Sequence, residues 1–98
     1  MEIEFADSSY DRLEVDASYT GKFSASVVKA YRKRIQLIRG AEDERDFYAL
    51  KSLHFEKLSG DRDGQFSMRL NDQWRLILEL KRESKGKLVV IISITDYH

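Results

Sequence analysis

Arg69 and Arg75 stand either side of a short polar run, Asn71-Asp72-Gln73, and each lies next to apolar residues of even number. Phe66, Met68 and Leu70 form one apolar face, and Trp74, Leu76, Leu78 and Leu80 another, with the period of two expected of half-buried strands. Antiparallel strands that bury the same parity pair residues whose numbers sum to an even value. Leu70 opposite Trp74 then leaves Asn71, Asp72 and Gln73 as the loop and sets Arg69 directly across from Arg75. Like charges facing each other across a ladder repel, by roughly a few tenths of a kcal/mol or more. Two arrangements answer that repulsion: an anion such as a phosphate bridges the guanidinium groups, or the side chains splay apart while Asp72 or Glu79 screens them.

Other side chains capable of proton transfer or anion binding converge on the same surface. In the segment 53–58, Leu53 and Phe55 read as inward, which turns His54 and Glu56 toward the arginines. The last segment is apolar on both faces through Val89, Val90, Ile91 and Ile92 and becomes polar at Ser93, Thr95 and Tyr97. A strand that persists carries Tyr97 to the arginines, whereas Asp96 and His98 join them only where the tail bends. Each has a plainer reading: His54 as a surface histidine, Tyr97 as a closure of the core edge with its hydroxyl in water.

The elements that hold these residues are legible in outline. Ser24 is a suitable N-cap for a helix over 25–39, in which Val27, Val28, Tyr31, Ile35 and Ile38 recur at helical spacing and Gly40 supplies the stop. Its other face, with Lys29, Arg32, Lys33, Arg34 and Arg39, reads as solvated or as a contact for an anionic partner. Shorter helices are expected over 8–15 and 42–50, and strands over 53–58, 65–70, 74–81 and 87–95. Helices followed by a meander predict an α+β fold, N-terminal helices packed on a small antiparallel β-sheet.

Composition removes several classes. Ninety-eight residues allow one domain, spanning 1–98. There is no cysteine, and only two histidines, so neither a disulfide framework nor a metal site is expected. Residues 1–7 alternate acidic and apolar side chains, unlike a signal segment, and no stretch reaches transmembrane length, which predicts a cytoplasmic protein with no membrane partner. Seventeen basic residues balance seventeen acidic ones, so any contact with nucleic acid must come from a local cluster.

The run from Gly60 to Leu76, Gly-Asp-Arg-Asp-Gly-Gln-Phe-Ser-Met-Arg-Leu-Asn-Asp-Gln-Trp-Arg-Leu, with the terminal Asp96-Tyr97-His98, closely resembles the HigB branch of the RelE/ParE toxin superfamily. The last half of the chain matches in detail and the first half by helix order and size. The resemblance implies a RelE-like fold and a toxin that cleaves messenger RNA on the ribosome without a metal or other cofactor. It also implies a HigA-like antitoxin partner whose helix-turn-helix represses the shared operon, so that operator DNA is met only through that partner. By position it makes Arg75, Asp96, Tyr97 and His98 catalytic and Arg69 RNA-binding, with Arg62 and Lys57 beside them. Many relatives read LHPLKGDR, which puts Glu56 in place of their active-site histidine and Ser59 in place of their lysine, while His54 and Lys57 lie two residues earlier. A two-residue shift preserves the strand face, so His54 and Glu56 both stay candidates for that histidine's role.

Metal-free RNA cleavage needs a base for the 2′-hydroxyl, cations for the phosphorane and an acid for the departing 5′-oxygen. The arginines suit the charge, and His98, with an unperturbed pKa of ~6.5, suits proton transfer, oriented by Asp96 and the terminal carboxylate. Two alternatives have no nuclease chemistry: a ParE-like poison of DNA gyrase, which shares the fold, and a degenerate toxin that only binds its antitoxin. Fusing a tag after His98 is expected to lower cleavage, assayed as loss of intact message. An undiminished tagged protein would count against His98 as proton carrier.

Overall fold

The structure is a computed structural model and describes residues 1–62 and 64–96, Arg62 by its main chain alone. Ser24 caps the long helix as expected, its hydroxyl accepting the Val27 N–H at 3.3 Å. Three helices are described, α1 (Ser8–Val15), α2 (Ala25–Gly40) and α3 (Arg45–Ala49), and they share one core with one face of a sheet. The expected apolar stripe of α2 is fully buried there: Val27, Val28, Tyr31, Ile35 and Ile38 meet Met68, Leu76 and Leu78. None of the described helices is long and apolar enough to cross a membrane.

The sheet has the order β1-β5-β4-β3-β2, from β1 (Glu2–Phe5), β2 (Glu56–Lys57), β3 (Gln65–Arg69), β4 (Trp74–Glu83) and β5 (Gly86–Asp96). The α+β architecture is as anticipated, but the sheet is mixed, because β1 runs parallel to β5 at one edge. Alternation in Glu2-Ile3-Glu4-Phe5 was visible in the sequence, yet its partner lies at the other end of the chain. Ile3 and Phe5 pack against the core while the glutamates take the other face.

A register shift between Ile77 and Leu78 explains why β5 is apolar at both parities. On one side of it Leu76 pairs with Ile94; on the other Leu78 and Leu80 pair with Ile91 and Val89. One irregularity thus delivers Val89, Ile91 and Ile94 to a single core despite their mixed numbering.

Two elements differ from expectation. The helix expected over 42–50 begins only at Arg45, because the Asp46 and Asp43 carboxylates accept the N–H groups of Glu42 and Arg45 and hold the preceding turn. The strand expected over 53–58 is instead a 3-10 turn (Lys51–Leu53), a left-handed residue at His54 and the two-residue β2. Leu53 and Phe55 are still both buried, at 2% and 7% exposure. The kink at His54 turns the chain into the sheet without withdrawing either from the core.

The basic face of α2 is largely spent inside the molecule. Arg32 donates to the carbonyls of Leu13, Asp16 and Tyr19, closing the end of α1. Arg39 grips Glu14 with two bonds of 2.7 Å. Buried Tyr31 donates to Tyr10 O at 2.7 Å, and burial raises its phenol pKa far above the usual range. Lys87 of β5 holds Glu44 at 2.6 Å, clipping α3, and with it the approach to His54, onto the sheet.

Removing the Tyr31 hydroxyl (Tyr31→Phe) leaves the Tyr10 carbonyl without this donor and is expected to cost about 1 kcal/mol, measured by urea unfolding. A second expectation concerns Asp43, which hydrogen bonds from Arg45 pull down from 3.8 to about 2. A carboxylate depressed in the fold contributes stability above its unfolded pKa and loses it as pH falls through the folded value. NMR titration should therefore find Asp43 with a midpoint of about 2, and Arg45→Ala should return it toward 3.8; a midpoint unmoved by Arg45→Ala would refute the pairing.

Candidate functional site

The helices cover one face of the sheet, and the other is left to the sheet's own side chains. Arg69 pairs directly with Arg75, as the parity argument required, and Arg75 with Thr95. The next rung on that face holds Glu56, Ser67, Ile77 and Ser93. Ser67 and Ile77 are buried at 1% and 3% exposure although no core helix lies over them. Flanking rungs carry arginine, glutamine and glutamate side chains long enough to lie across them. The Ser67 hydroxyl is buried there without a hydrogen-bond partner among the described residues.

Of the two responses to the arginine repulsion, the structure shows the second. The two side chains do splay: Arg69 forms an ion pair with Asp72 of the connecting loop, and Arg75 Nη1 donates to the His54 carbonyl at 3.1 Å. Asp72 is 94% exposed, so its pair with Arg69 is worth about 0–1 kcal/mol and yields readily to a better anion. A third guanidinium stands behind the pair. Arg34 of α2 donates from Nε to the Arg69 carbonyl at 2.9 Å, and its pKa is lowered, first by burial and then by Arg69. Arginine stays charged nonetheless. Three guanidinium groups thus gather at the β3–β4 hairpin, with contacts that include two peptide carbonyls and one exposed carboxylate, an arrangement suited to oxyanions.

Glu56 shares the arginine face through its pairing with Ser67, whereas Lys57 pairs with Phe66 and belongs to the helix side at the sheet's edge. His54 is exposed and meets Arg75 through its carbonyl. Asp96 pairs with Trp74, on the side of Ile94, and accepts from Gln73 Nε2 at 3.2 Å. It therefore stands at the end of the sheet, on the face away from Arg75, as expected of a strand that has not bent. Tyr97, His98 and the side chain of Arg62 lie outside the described residues. Among the described residues no group of three or more His, Cys, Asp or Glu could hold a metal ion.

Arg34 is the site residue that the sequence reading left among the solvated cations. Its spacing held a signal: it lies three residues after Tyr31 and four before Ile38, at the margin of the buried stripe. Ser67 gave none, since a small polar residue between Phe66 and Met68 reads as an ordinary outward position.

Comparison with known proteins gives the constellation a setting. A family model described as a RelE-like toxin of the type II toxin-antitoxin system HigB matches residues 3–98. No curated protein matches the chain. Among solved structures, a YoeB/ParE toxin from Agrobacterium tumefaciens is similar over 100% of both chains, at 20% identity and a TM-score of 0.62. The YoeB-YefM complex from Staphylococcus aureus follows at 19% identity and 0.59, covering 100% of this chain and 97% of that one. The RelBE2 toxin-antitoxin complex from Mycobacterium tuberculosis aligns over 98% of this chain and 96% of that chain, at 17% identity and 0.50. At these identities the structures speak for the fold, which is the RelE/YoeB toxin fold. The family model spans nearly the whole chain, and the protein belongs to the HigB-like family of RelE-like type II toxins.

Proposed function

We propose that this toxin is an endoribonuclease that cuts messenger RNA on the ribosome without a metal, and that Arg75 and Arg69 stabilise the charge of the phosphorane. The observation that carries the reading is the pair itself, two always-charged forks on one rung of an open face, with Arg34 behind them and Glu56 on the next rung. Such a site favours a state with more negative charge than its ground state, which is what attack of the 2′-oxygen on the phosphodiester creates. The 2′-hydroxyl loses its proton to a base, the new bond closes a 2′,3′-cyclic phosphate, and the departing 5′-oxygen takes a proton from an acid. Glu56 or His54 is the proposed base and His98 the proposed acid, with Asp96 orienting it and Tyr97 stacking on a base. Lys57, at the sheet's edge, and Arg62 are proposed to contact the RNA backbone.

The partner proposed is a helix-turn-helix antitoxin of the HigA kind, through which alone operator DNA is met, and the setting is the cytoplasm. Two of the similar structures are themselves toxin-antitoxin complexes. The test is induced expression in a bacterium with primer extension on an abundant message. Intact protein should create discrete new 5′ ends within coding sequence, and Arg75→Ala should reduce them by about 10²–10³-fold, the usual loss of one oxyanion donor. His98→Ala should reduce them as well. Growth arrest with intact message and damaged DNA would instead identify a gyrase poison, and intact RNA beside retained antitoxin binding a toxin that has lost its chemistry.

A further inference from the structure

His54 is the sole non-glycine residue at positive φ among the described residues, at φ 45° and ψ 46°. Histidine is one of the types found in that region more often than most, but for any side chain it is an uncommon and strained choice. Strain of this kind persists only where the surroundings over-determine it. Here they do. Leu53 before it and Phe55 after it are both buried, and Phe55 is held by three rings, Phe47, Tyr48 and Phe66, the last stacked within 1° of parallel. Its own N–H closes the 3-10 turn on the Lys51 carbonyl at 3.1 Å. The imidazole takes no part in this and is exposed.

What the left-handed turn accomplishes is the direction of one carbonyl. The plane of the 54–55 peptide is set by ψ of His54, and an extended residue there would turn the same oxygen by about 90°. As built, that oxygen accepts Nη1 of Arg75 at 3.1 Å, reaching it from the far side of β3. We propose that His54 is a positioning residue acting through its main chain: its strained turn aims the carbonyl that fixes the Arg75 guanidinium for phosphate. Arginine offers five donors in a rigid fork, so fixing one Nη–H on a peptide oxygen sets the plane of the whole fork. The same oxygen also offers partial negative charge to an arginine held opposite Arg69, where repulsion would otherwise swing it away. The assignment concerns the backbone of a residue whose imidazole is a separate candidate, and its catalytic consequence rests on the ribonuclease reading above.

The discriminating comparison is between variants that all lack the imidazole. His54→Gly and His54→Asn accept the left-handed conformation, whereas β-branched His54→Val resists it. Full-length toxin carrying each change is assayed for ribosome-dependent cleavage of a reporter message, and the guanidinium N–H resonances of Arg75, assigned with Arg75→Lys, are followed by NMR. The proposal expects the Gly and Asn variants to keep a slowly exchanging Arg75 resonance and to cleave faster than the Val variant, by on the order of tenfold or more. Equal impairment of Gly and Val variants, with one and the same Arg75 resonance, would overturn it and return the role to the imidazole. If circular dichroism shows the Val variant unfolded, His54→Ala makes the same comparison at lower strain. Should the unaltered toxin not cleave RNA, the ribonuclease reading fails, while the resonance difference between Gly and Val variants still decides whether the turn fixes Arg75.

Discussion

A hairpin whose two strands bury residues of the same parity cannot slip by one position without exchanging its faces. Between β3 and β4 that constraint is absolute in practice. Met68, Leu76 and Leu78 face α2, and a one-residue shift in either strand would drive Arg69 or Arg75 into the same fully apolar space. A register that keeps the core dry and closes on the three-residue loop is therefore the register that places two guanidinium groups side by side. Like-charge repulsion of a few tenths of a kcal/mol is small against the several kcal/mol of burying one unpaired arginine, so the site follows from the core.

Once forced together, two of the cations are oriented by peptide carbonyls. Arg75 binds the His54 carbonyl, and Arg34 binds the carbonyl of Arg69. Arg69 pairs with Asp72, which is almost wholly exposed. Peptide carbonyls orient a guanidinium without neutralising it, which leaves its charge available to an arriving anion. The positions of α3 and the 3-10 turn matter for the same reason. The Lys87–Glu44 bridge and the rings around Phe55 fix the segment that supplies the His54 oxygen.

Much of this was open to a reader of the sequence, and the exceptions have physical causes. The Arg69–Arg75 pairing followed from parity and a three-residue loop, and α2 followed from cap and stripe, because each depends on neighbours in sequence or on one strict period. The parallel strand β1 did not, since four alternating residues reveal no partner when that partner is the last strand. The shift between Ile77 and Leu78 was equally hidden, although the mixed apolar numbering of β5 is its trace. The stretch 53–58 was assigned the right inward and outward residues on the wrong geometry, because buried Leu53 and Phe55 flank one intervening residue in a strand and in this kink alike. Arg34 escaped for another reason: a side chain at the margin of a helical stripe can point to solvent or reach over the sheet, and only the packing decides.

The placement of the arginines on an open face also bears on what the proposed chemistry requires. The described hollows lie elsewhere, one at the β4–β5 turn beside Glu2 and Glu4, another beside α1 between Tyr10, Tyr19 and Phe23. A guanidinium in contact with bulk water stabilises developing charge weakly, because the solvent screens it; the same group under a low-dielectric cover acts several times more strongly. Among the described residues the cations are positioned without a nucleotide enclosed between them. Under the proposed reading further cover comes with the substrate, as a surface that presses the message onto the arginine face and excludes water from it. A ribosome holding its message in place would supply that surface, and free RNA would not, so dependence on the ribosome is what an open site of this kind would need in order to be efficient.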